Sequence, residues 1–219
     1  MALIYPALFG LTDQEIQKIE LVRPFCSRMH IDIMDNIFVP NKTSGSDRIC
    51  EVAKNYDIHV WLHCMVQDPL HFLDVLCIPQ GSLVSFHIES SSDFFLTIKK
   101  IIEKKCLAGI AINPKTALHE IIPLINNLDH IVIMSVNPGF SGQPFLEEVI
   151  PKIDELIAYK YMHGYTFKIG IDGGVNASII SLLAHKDIDY YAISSAIFQQ
   201  ADPYAELKRL TALVRGSKR

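Results

Sequence analysis

Short β-branched or apolar runs recur along this chain, each followed by a stretch with helical spacing, and this alternation narrows the fold more than any other feature. Strands are expected near Leu3–Leu8, Met29–Met34, Ile58–Met65, Leu83–His87, Ala108–Ile112, Ile131–Ser135, Phe167–Asp172 and Tyr190–Ser194. Their starts lie mostly roughly 23 to 31 residues apart, the spacing of successive βα units. Between them, Thr12-Asp13-Gln14-Glu15 reads as a capping box. Phe94 to Lys105 reads as an amphipathic helix with Leu96, Ile98, Ile101 and Ile102 on its apolar face, and Asn176 is placed to cap a helix. Eight such units in 219 residues predict an α/β fold, a (β/α)8 TIM barrel forming a single domain over 1–219. A short basic tail near 215–219 carries Arg215, Lys218 and Arg219. A doubly wound open sheet is the alternative.

Composition removes several classes of function. Hydrophobic residues make up 49% and charged residues 20%, a globular balance. A formal net charge of −4 argues against a nucleic-acid partner. No run of about 18 apolar residues occurs, so no membrane span is expected. The apolar start from Met1 to Leu11 has no basic region before it and reads as a first strand, not a signal peptide. Five cysteines (Cys26, Cys50, Cys64, Cys77 and Cys106) are scattered without a CxxC pair, so reduced thiols and a cytoplasmic location are expected.

In a (β/α)8 barrel the chemistry sits where the strands end. Those ends are polar here: His30 and Asp32, His63, His87, Asn113, Ser135 and Asn137, Asp172, and Ser194 with Ser195. A buried strand ends in His or Asp at a cost unless the group is solvated or paired. In His30-Ile31-Asp32-Ile33-Met34-Asp35, alternation sets His30, Asp32 and Met34 on one face and two isoleucines on the other. The isoleucine face suits packing against helices, so the other points into the barrel. A His–Asp hydrogen bond or a shared divalent metal both satisfy that segment. His63, on the face shared with Trp61 and Met65, adds a third candidate ligand, and Asp172 a fourth. Two His and two Asp suit Zn, Fe, Mn or Co better than Ca. Cys64, on the opposite face from His63, reads as a packed hydrophobe.

Glycine-bearing loops follow the later strands: Asn137-Pro138-Gly139-Phe140-Ser141-Gly142-Gln143 after the sixth and Asp172-Gly173-Gly174-Val175-Asn176 after the seventh. With Ser194-Ser195-Ala196 after the eighth, they offer backbone N–H groups to an anion at the frequent phosphate site of such barrels. No GxGxxG or GxxxxGK[ST] follows a strand, so nucleotide binding has no motif to support it. His59, His71, His119, His130, His163 and His185 are expected to be surface or structural groups.

Together, His30-Ile-Asp-Ile-Met-Asp35 with Phe38-Val-Pro-Asn41, His63-Cys-Met-Val66, Met134-Ser-Val-Asn-Pro-Gly-Phe-Ser-Gly-Gln143, Ile171-Asp-Gly-Gly-Val-Asn176 and Ser195-Ala-Ile-Phe198 resemble the ribulose-phosphate 3-epimerases. The resemblance implies a barrel that inverts carbon 3 of a ketose phosphate, such as ribulose 5-phosphate and xylulose 5-phosphate. It implies one divalent metal ion per chain held by His30, Asp32, His63 and Asp172, with Asp32 and Asp172 also the two catalytic acid/base groups. It places His63, Met34, Met65, Met134, Gly139, Phe140, Ser141, Gly142, Asp172, Gly173, Gly174, Val175, Ser194 and Ser195 around the substrate. It also implies a homo-oligomer. The chain departs from the family pattern at Ala7 (usually Ser), at Asn36-Ile37 (usually Gly-His), and at Ser141 and Ser194 (usually Gly). These departures bear on the choice of sugar and leave allulose 6-phosphate as an alternative substrate. A barrel that binds metal and sugar phosphate without turnover, or a metal-dependent aldolase or decarboxylase, are the readings from other classes. A Schiff-base aldolase needs a lysine inside the barrel, and no strand end offers one.

Overall fold

The computed structural model describes residues 2–90 and 93–216. Eight strands, β1 (Leu3–Leu8), β2 (Arg28–Met34), β3 (His59–Met65), β4 (Leu83–His87), β5 (Leu107–Ile112), β6 (His130–Met134), β7 (Lys168–Asp172) and β8 (Tyr190–Ile193), pair in parallel and in chain order. β8 returns to β1 and closes a barrel, so no open edge remains in the sheet. The expected (β/α)8 architecture is correct, and strand bounds differ from expectation by one residue at most at either end.

Alternation sorts the strand side chains into two cores. Ile31 and Ile33 of β2, Leu62 and Cys64 of β3, and Ile110 and Ile112 of β5 face outward into the layer under the helices. Tyr5, Ala7, Trp61, Val132 and Met134 fill the interior. Toward the strand starts, the Trp61 ring meets Tyr5 edge-on at 5.5 Å between centroids, and its Nε1–H donates to Ser85 Oγ at 2.9 Å. Above Trp61 lies a layer of imidazoles, and above that the mouth.

The helices around the barrel are α1 (Asp13–Val22), α2 (Ile49–Tyr56), α3 (Pro69–Val75), α4 (Phe94–Glu103), α5 (Ile150–His163), α6 (Ala177–Leu182), α7 (Ser195–Phe198) and α8 (Pro203–Gly216). Between β5 and β6 the chain makes only 3-10 turns, at Leu118–Glu120 and Ile122–Asn127. Pro123 sits in the first turn of the second, where its missing N–H does no harm. Thr12 caps α1 by accepting from the Glu15 amide, but the Glu15 carboxylate accepts from the Phe9 amide instead of closing the capping box. That choice ties the end of β1 to α1. Asn176 caps α6 through the Ile179 amide. On α4 the buried residues are Thr97, Ile98 and Ile101, while Leu96 and Ile102 are exposed, so the buried stripe is narrower than expected. Arg215 lies in the last turn of α8, and Lys218 and Arg219 of the basic tail lie outside the described residues.

One expectation needs correction. Cys50 and Cys77 are joined, with Cα atoms 5.8 Å apart, so not all thiols are reduced. The bridge ties the first turn of α2 to the segment between α3 and β4, in successive units of the barrel, a contact that a 27-residue separation does not reveal. Cys26, Cys64 and Cys106 are free and buried, and burial pushes the Cys64 thiol up to about 12, as befits a packed hydrophobe. Of the histidines expected to be surface or structural groups, His130 is the structural one: it is fully buried inside the barrel beside Trp61, with both ring nitrogens unpaired and burial pulling its pKa down to about 3. Its ring fills the place of a side chain on β5, since a Cβ at Gly109 would fall 2.2 Å from His130 Nε2. The other five histidines of that group, His59, His71, His119, His163 and His185, are exposed.

Candidate active site at the barrel mouth

The strand pairing brings the candidate ligands together. β2 and β3 align so that Asp32 lies beside His63, and His30 beside Trp61. β7, across the mouth from both, contributes Asp172 as its last residue. His30 Nε2 lies 3.0 Å from Asp32 Oδ1 and 3.4 Å from Asp172 Oδ2. His63 Nδ1 lies 3.2 Å from Asp32 Oδ1 and 2.9 Å from Asp172 Oδ2. One donor atom from each residue falls within 4.8 Å of every other. Two ring nitrogens and two carboxylate oxygens thus converge closely enough to hold a single ion between them.

Charge points the same way. Burial alone would lower both imidazoles, but the Asp172 and Asp32 carboxylates outweigh it and raise His30 to about 10, with His63 raised as well. The reciprocal effect holds both aspartates below their ordinary range against the opposing pull of burial. The pocket thus stabilises two positive charges next to two carboxylates, which two protons or one divalent cation supply equally well. The residues fit a divalent transition metal through two nitrogens and two oxygens. Both imidazoles are fully buried, whereas Asp32 and Asp172 keep an edge toward the mouth.

The mouth itself is an open cavity at the C-terminal ends of the strands. All the expected site residues except His30 and His63 line it. Asp32, Met34, Met65, Met134 and Asp172 form the floor, and Gly139, Phe140, Ser141 and Gly142 one wall. Gly173, Gly174, Val175, Ser194 and Ser195, from the adjoining loops after β7 and β8, continue the lining. His30 and His63 lie beneath the floor, not on the cavity surface. The departures from the family pattern are at the same mouth: Ala7, Ser141 and Ser194 line the cavity. Asn36 takes φ +64°, the left-handed region where glycine is usual and asparagine tolerated, and the neighbouring Ile37 is exposed. Gly173 is required by conformation, with φ +113° and a Cβ position 2.4 Å from Val136 Cγ2. No Lys or Arg lines the cavity among the described residues, so an anion there meets backbone N–H groups and hydroxyls.

The supporting roles of several residues escape a reading of the sequence alone. Asp35, the last residue of the His30–Asp35 motif, is not a ligand. Its Oδ1 accepts from the Ile37 and Phe38 amides and its Oδ2 from the Gln67 amide, knotting the loops after β2 and β3. Asn41 Nδ2 donates to the Gly139 carbonyl at 3.3 Å and joins the first of these loops to the wall of the cavity. The buried Ser135 hydroxyl reaches the carbonyls of Asp172 and Gly173, at 3.0 and 2.6 Å. Behind His63 stands His87, with the two Nε2 atoms 2.9 Å apart, and behind His87 stands Glu89. The polar end of β4 signalled His87, but nothing in one sequence ties it to His63.

This arrangement of donors and glycine loops has a match. The Ribulose-phosphate 3 epimerase family matches residues 2–198. The chain belongs to that family. The ribulose-phosphate 3-epimerase of Bacillus subtilis is 32% identical over 216 residues, covering 98% of this chain and 97% of the relative. Those of Serratia marcescens and Escherichia coli are 35% and 34% identical over 176 residues, 80% of this chain and 83% and 78% of theirs. Among solved structures, KGPDC from Streptococcus mutans superposes with a TM-score of 0.73 at 10% identity, over 99% of this chain and 98% of that one. The 3-hexulose-6-phosphate synthase of Salmonella typhimurium gives 0.68 at 17%, over 98% and 99%. At those identities the likeness concerns the barrel alone. Family membership rests on the sequence matches, and it covers the strands that carry all four candidate ligands.

Proposed function

We propose that this chain is a metal-dependent 3-epimerase of a ketose phosphate, interconverting ribulose 5-phosphate and xylulose 5-phosphate. The observation that carries the reading is the pair of carboxylates, Asp32 from β2 and Asp172 from β7, opposed across the mouth over two buried imidazoles. Inversion at carbon 3 requires removal of a proton from one face and its return on the other. Two carboxylates from strands on opposite sides of the cavity meet that requirement, and a single one does not.

In the mechanism, His30, Asp32, His63 and Asp172 would hold the metal, which when bound would supply electrostatic stabilisation of the negative charge developing on the sugar. One aspartate, as carboxylate, takes the carbon 3 proton and leaves the substrate as an enediolate. The other, protonated in that form of the enzyme, returns a proton to the opposite face. Each turnover exchanges their roles, and the reverse reaction begins from the exchanged form. Met34, Met65 and Met134 close the floor with neutral, polarizable groups that keep water from competing for the carbanionic carbon. Gly142, Gly174, Ser194 and Ser195 receive the phosphate through N–H and hydroxyl donors at the rim. The cytoplasm is the proposed location, as in the name of the rice relative.

Allulose 6-phosphate is the second reading, favoured by Ala7, Ser141 and Ser194, which alter the cavity lining where the family usually has Ser, Gly and Gly. Incubation with ribulose 5-phosphate in D₂O, followed by NMR of carbon 3, tests the proposal. Solvent deuterium enters carbon 3 of both epimers. Its absence with metal present, over a panel of ketose phosphates, would rule out an enolising enzyme.

A further inference from the structure

The metal reading leaves a question that the layer behind the site answers. An imidazole can ligate through only one bare nitrogen, and His63 turns Nδ1 toward the two aspartates. Its Nε2 must then carry the proton. Its partner there is His87 Nε2 at 2.9 Å, and a proton on both of these nitrogens would set two donors face to face. His87 Nε2 must therefore be bare, and its own proton must sit on Nδ1. His87 Nδ1 is 3.1 Å from Glu89 Oε2, an acceptor with no proton of its own. The sequence of donors is fixed from the outside inward: Glu89 sets His87, and His87 sets His63.

The outer end is anchored as well. Glu89 Oε1 accepts from the Asn113 amide at 2.7 Å and from the Thr116 hydroxyl. Lys152 Nζ in turn donates to the carbonyls of Asn113 and Pro114, at 2.8 and 2.6 Å, holding the loop after β5 in place. Both oxygens of Glu89 are thus required as acceptors, a demand that a carboxylate meets and an amide does not. His87 is fully buried and meets His63 edge to edge, with ring planes 22° apart, while Phe38 from the loop after β2 covers it at 4.9 Å. Neither His87 nor Glu89 lines the mouth cavity.

We propose that His87 and Glu89 are positioning residues that lock His63 in the tautomer with Nδ1 bare, presenting a preformed ligand to the metal. The proposal rests on the assignment of His63 as a ligand made above. Neither residue touches substrate in this account. They act through His63 alone, and no proton enters or leaves the chain of three groups as it works. Partners of this kind behind a ligating histidine fix its ring orientation and contribute roughly 10–100-fold to metal affinity.

The test uses zinc-loaded, full-length protein labelled with ¹⁵N-histidine. Two-bond ¹H–¹⁵N correlations show which ring nitrogen carries the proton. The expected result is a proton on Nε2 of His63 and on Nδ1 of His87, and a proton on Nε2 of His87 overturns the proposal. The second arm is Glu89→Gln, nearly isosteric, whose amide must face either His87 or the Asn113 and Thr116 donors with a donor of its own. Zinc affinity measured by chelator competition should fall about 10–100-fold. A variant that binds zinc as tightly as wild type overturns the proposal even if the wild-type tautomer is as expected. The reading of the site fails separately. Wild-type protein that takes up no zinc, or whose zinc affinity survives His63→Ala, removes His63 as a ligand and the relay with it.

Discussion

Ser135→Ala offers a way to separate the placement of Asp172 from the stability of the barrel. The Ser135 side chain is fully buried, and its one hydroxyl proton has two carbonyls in reach. The shorter contact, 2.6 Å to Gly173, is the one that matters, because the Asp172 carbonyl already accepts from the Ser135 amide at 2.8 Å. Alanine leaves the carbonyl of the half-buried Gly173 without that donor. An unsatisfied buried group costs about 1–3 kcal/mol. Unfolding entropy near 2.1 cal/mol/K per residue turns that loss into a fall in Tm of about 2–7 °C for a chain of this length. The catalytic effect is the larger one. Gly173 sits at φ +113° against Val136, directly after Asp172, so a shift of the backbone that Ser135 holds at both residues is expected to reach the Asp172 carboxylate. A misplacement approaching 1 Å lowers kcat by up to about 10²-fold. Initial rates at saturating metal, with calorimetry on the same preparation, provide both numbers. The expected pattern is a modest fall in Tm with kcat down at least about 10-fold. A variant that loses stability as calculated but turns over at the wild-type rate refutes the claim that Ser135 places Asp172.

Other predictions concern charge and covalent links. In metal-free protein, the raised values of His30 and His63 stabilise the fold fully below about pH 6.5, and that contribution is lost as pH rises through the His30 value of about 10. The lowered values of Asp32 and Asp172 contribute above about pH 3.9 and lose that contribution as pH falls further. Metal-free protein should therefore lose Tm between about pH 6.5 and 10, while apparent metal affinity climbs over the same range as protons leave the imidazoles. A metal-free Tm that rises across that window contradicts the charge balance described for the site. The Cys50–Cys77 bridge closes a loop with a separation of 27 residues, for which chain entropy gives about 3–4 kcal/mol. Reduction should lower Tm by about 6–9 °C. Denatured, unreduced protein should titrate three thiols, Cys26, Cys64 and Cys106, and a count of five contradicts the bridge.

Much of this site is written in strand alternation, because alternation is local. His30, Asp32 and Met34 share a face in any strand, and two isoleucines on the other face leave only one way to orient it. The glycine loops are legible for a similar reason, since a left-handed turn such as Gly173 restricts what the sequence can place there. What the sequence hides is set by register and closure. That His87 touches His63 depends on how β4 lies beside β3, where His63 pairs with Ser85 and not with His87. The strand tilt of the barrel brings the next imidazole back toward it. The same holds for the Cys50–Cys77 bridge, between successive units of the barrel. His130 shows an alternative that one sequence leaves open: a histidine at a strand start reads as surface or structural, and here the interior is open to it because β5 offers Gly109 in place of a side chain.

The central claim is that Asp32 and Asp172 serve opposite faces of carbon 3, and one exchange measurement addresses it directly. Asp32→Asn and Asp172→Asn are each loaded with excess divalent metal, checked for metal content, and given either epimer of the ketose phosphate in D₂O. With one aspartate gone, interconversion should fall at least about 10²–10⁴-fold, the usual loss for one acid/base group. The remaining aspartate still exchanges the proton on its own face. Asp172→Asn is expected to wash deuterium into one epimer without forming the other, and Asp32→Asn to do so with the opposite epimer. Either variant, metal-loaded and interconverting the two epimers at near the wild-type rate, contradicts the account.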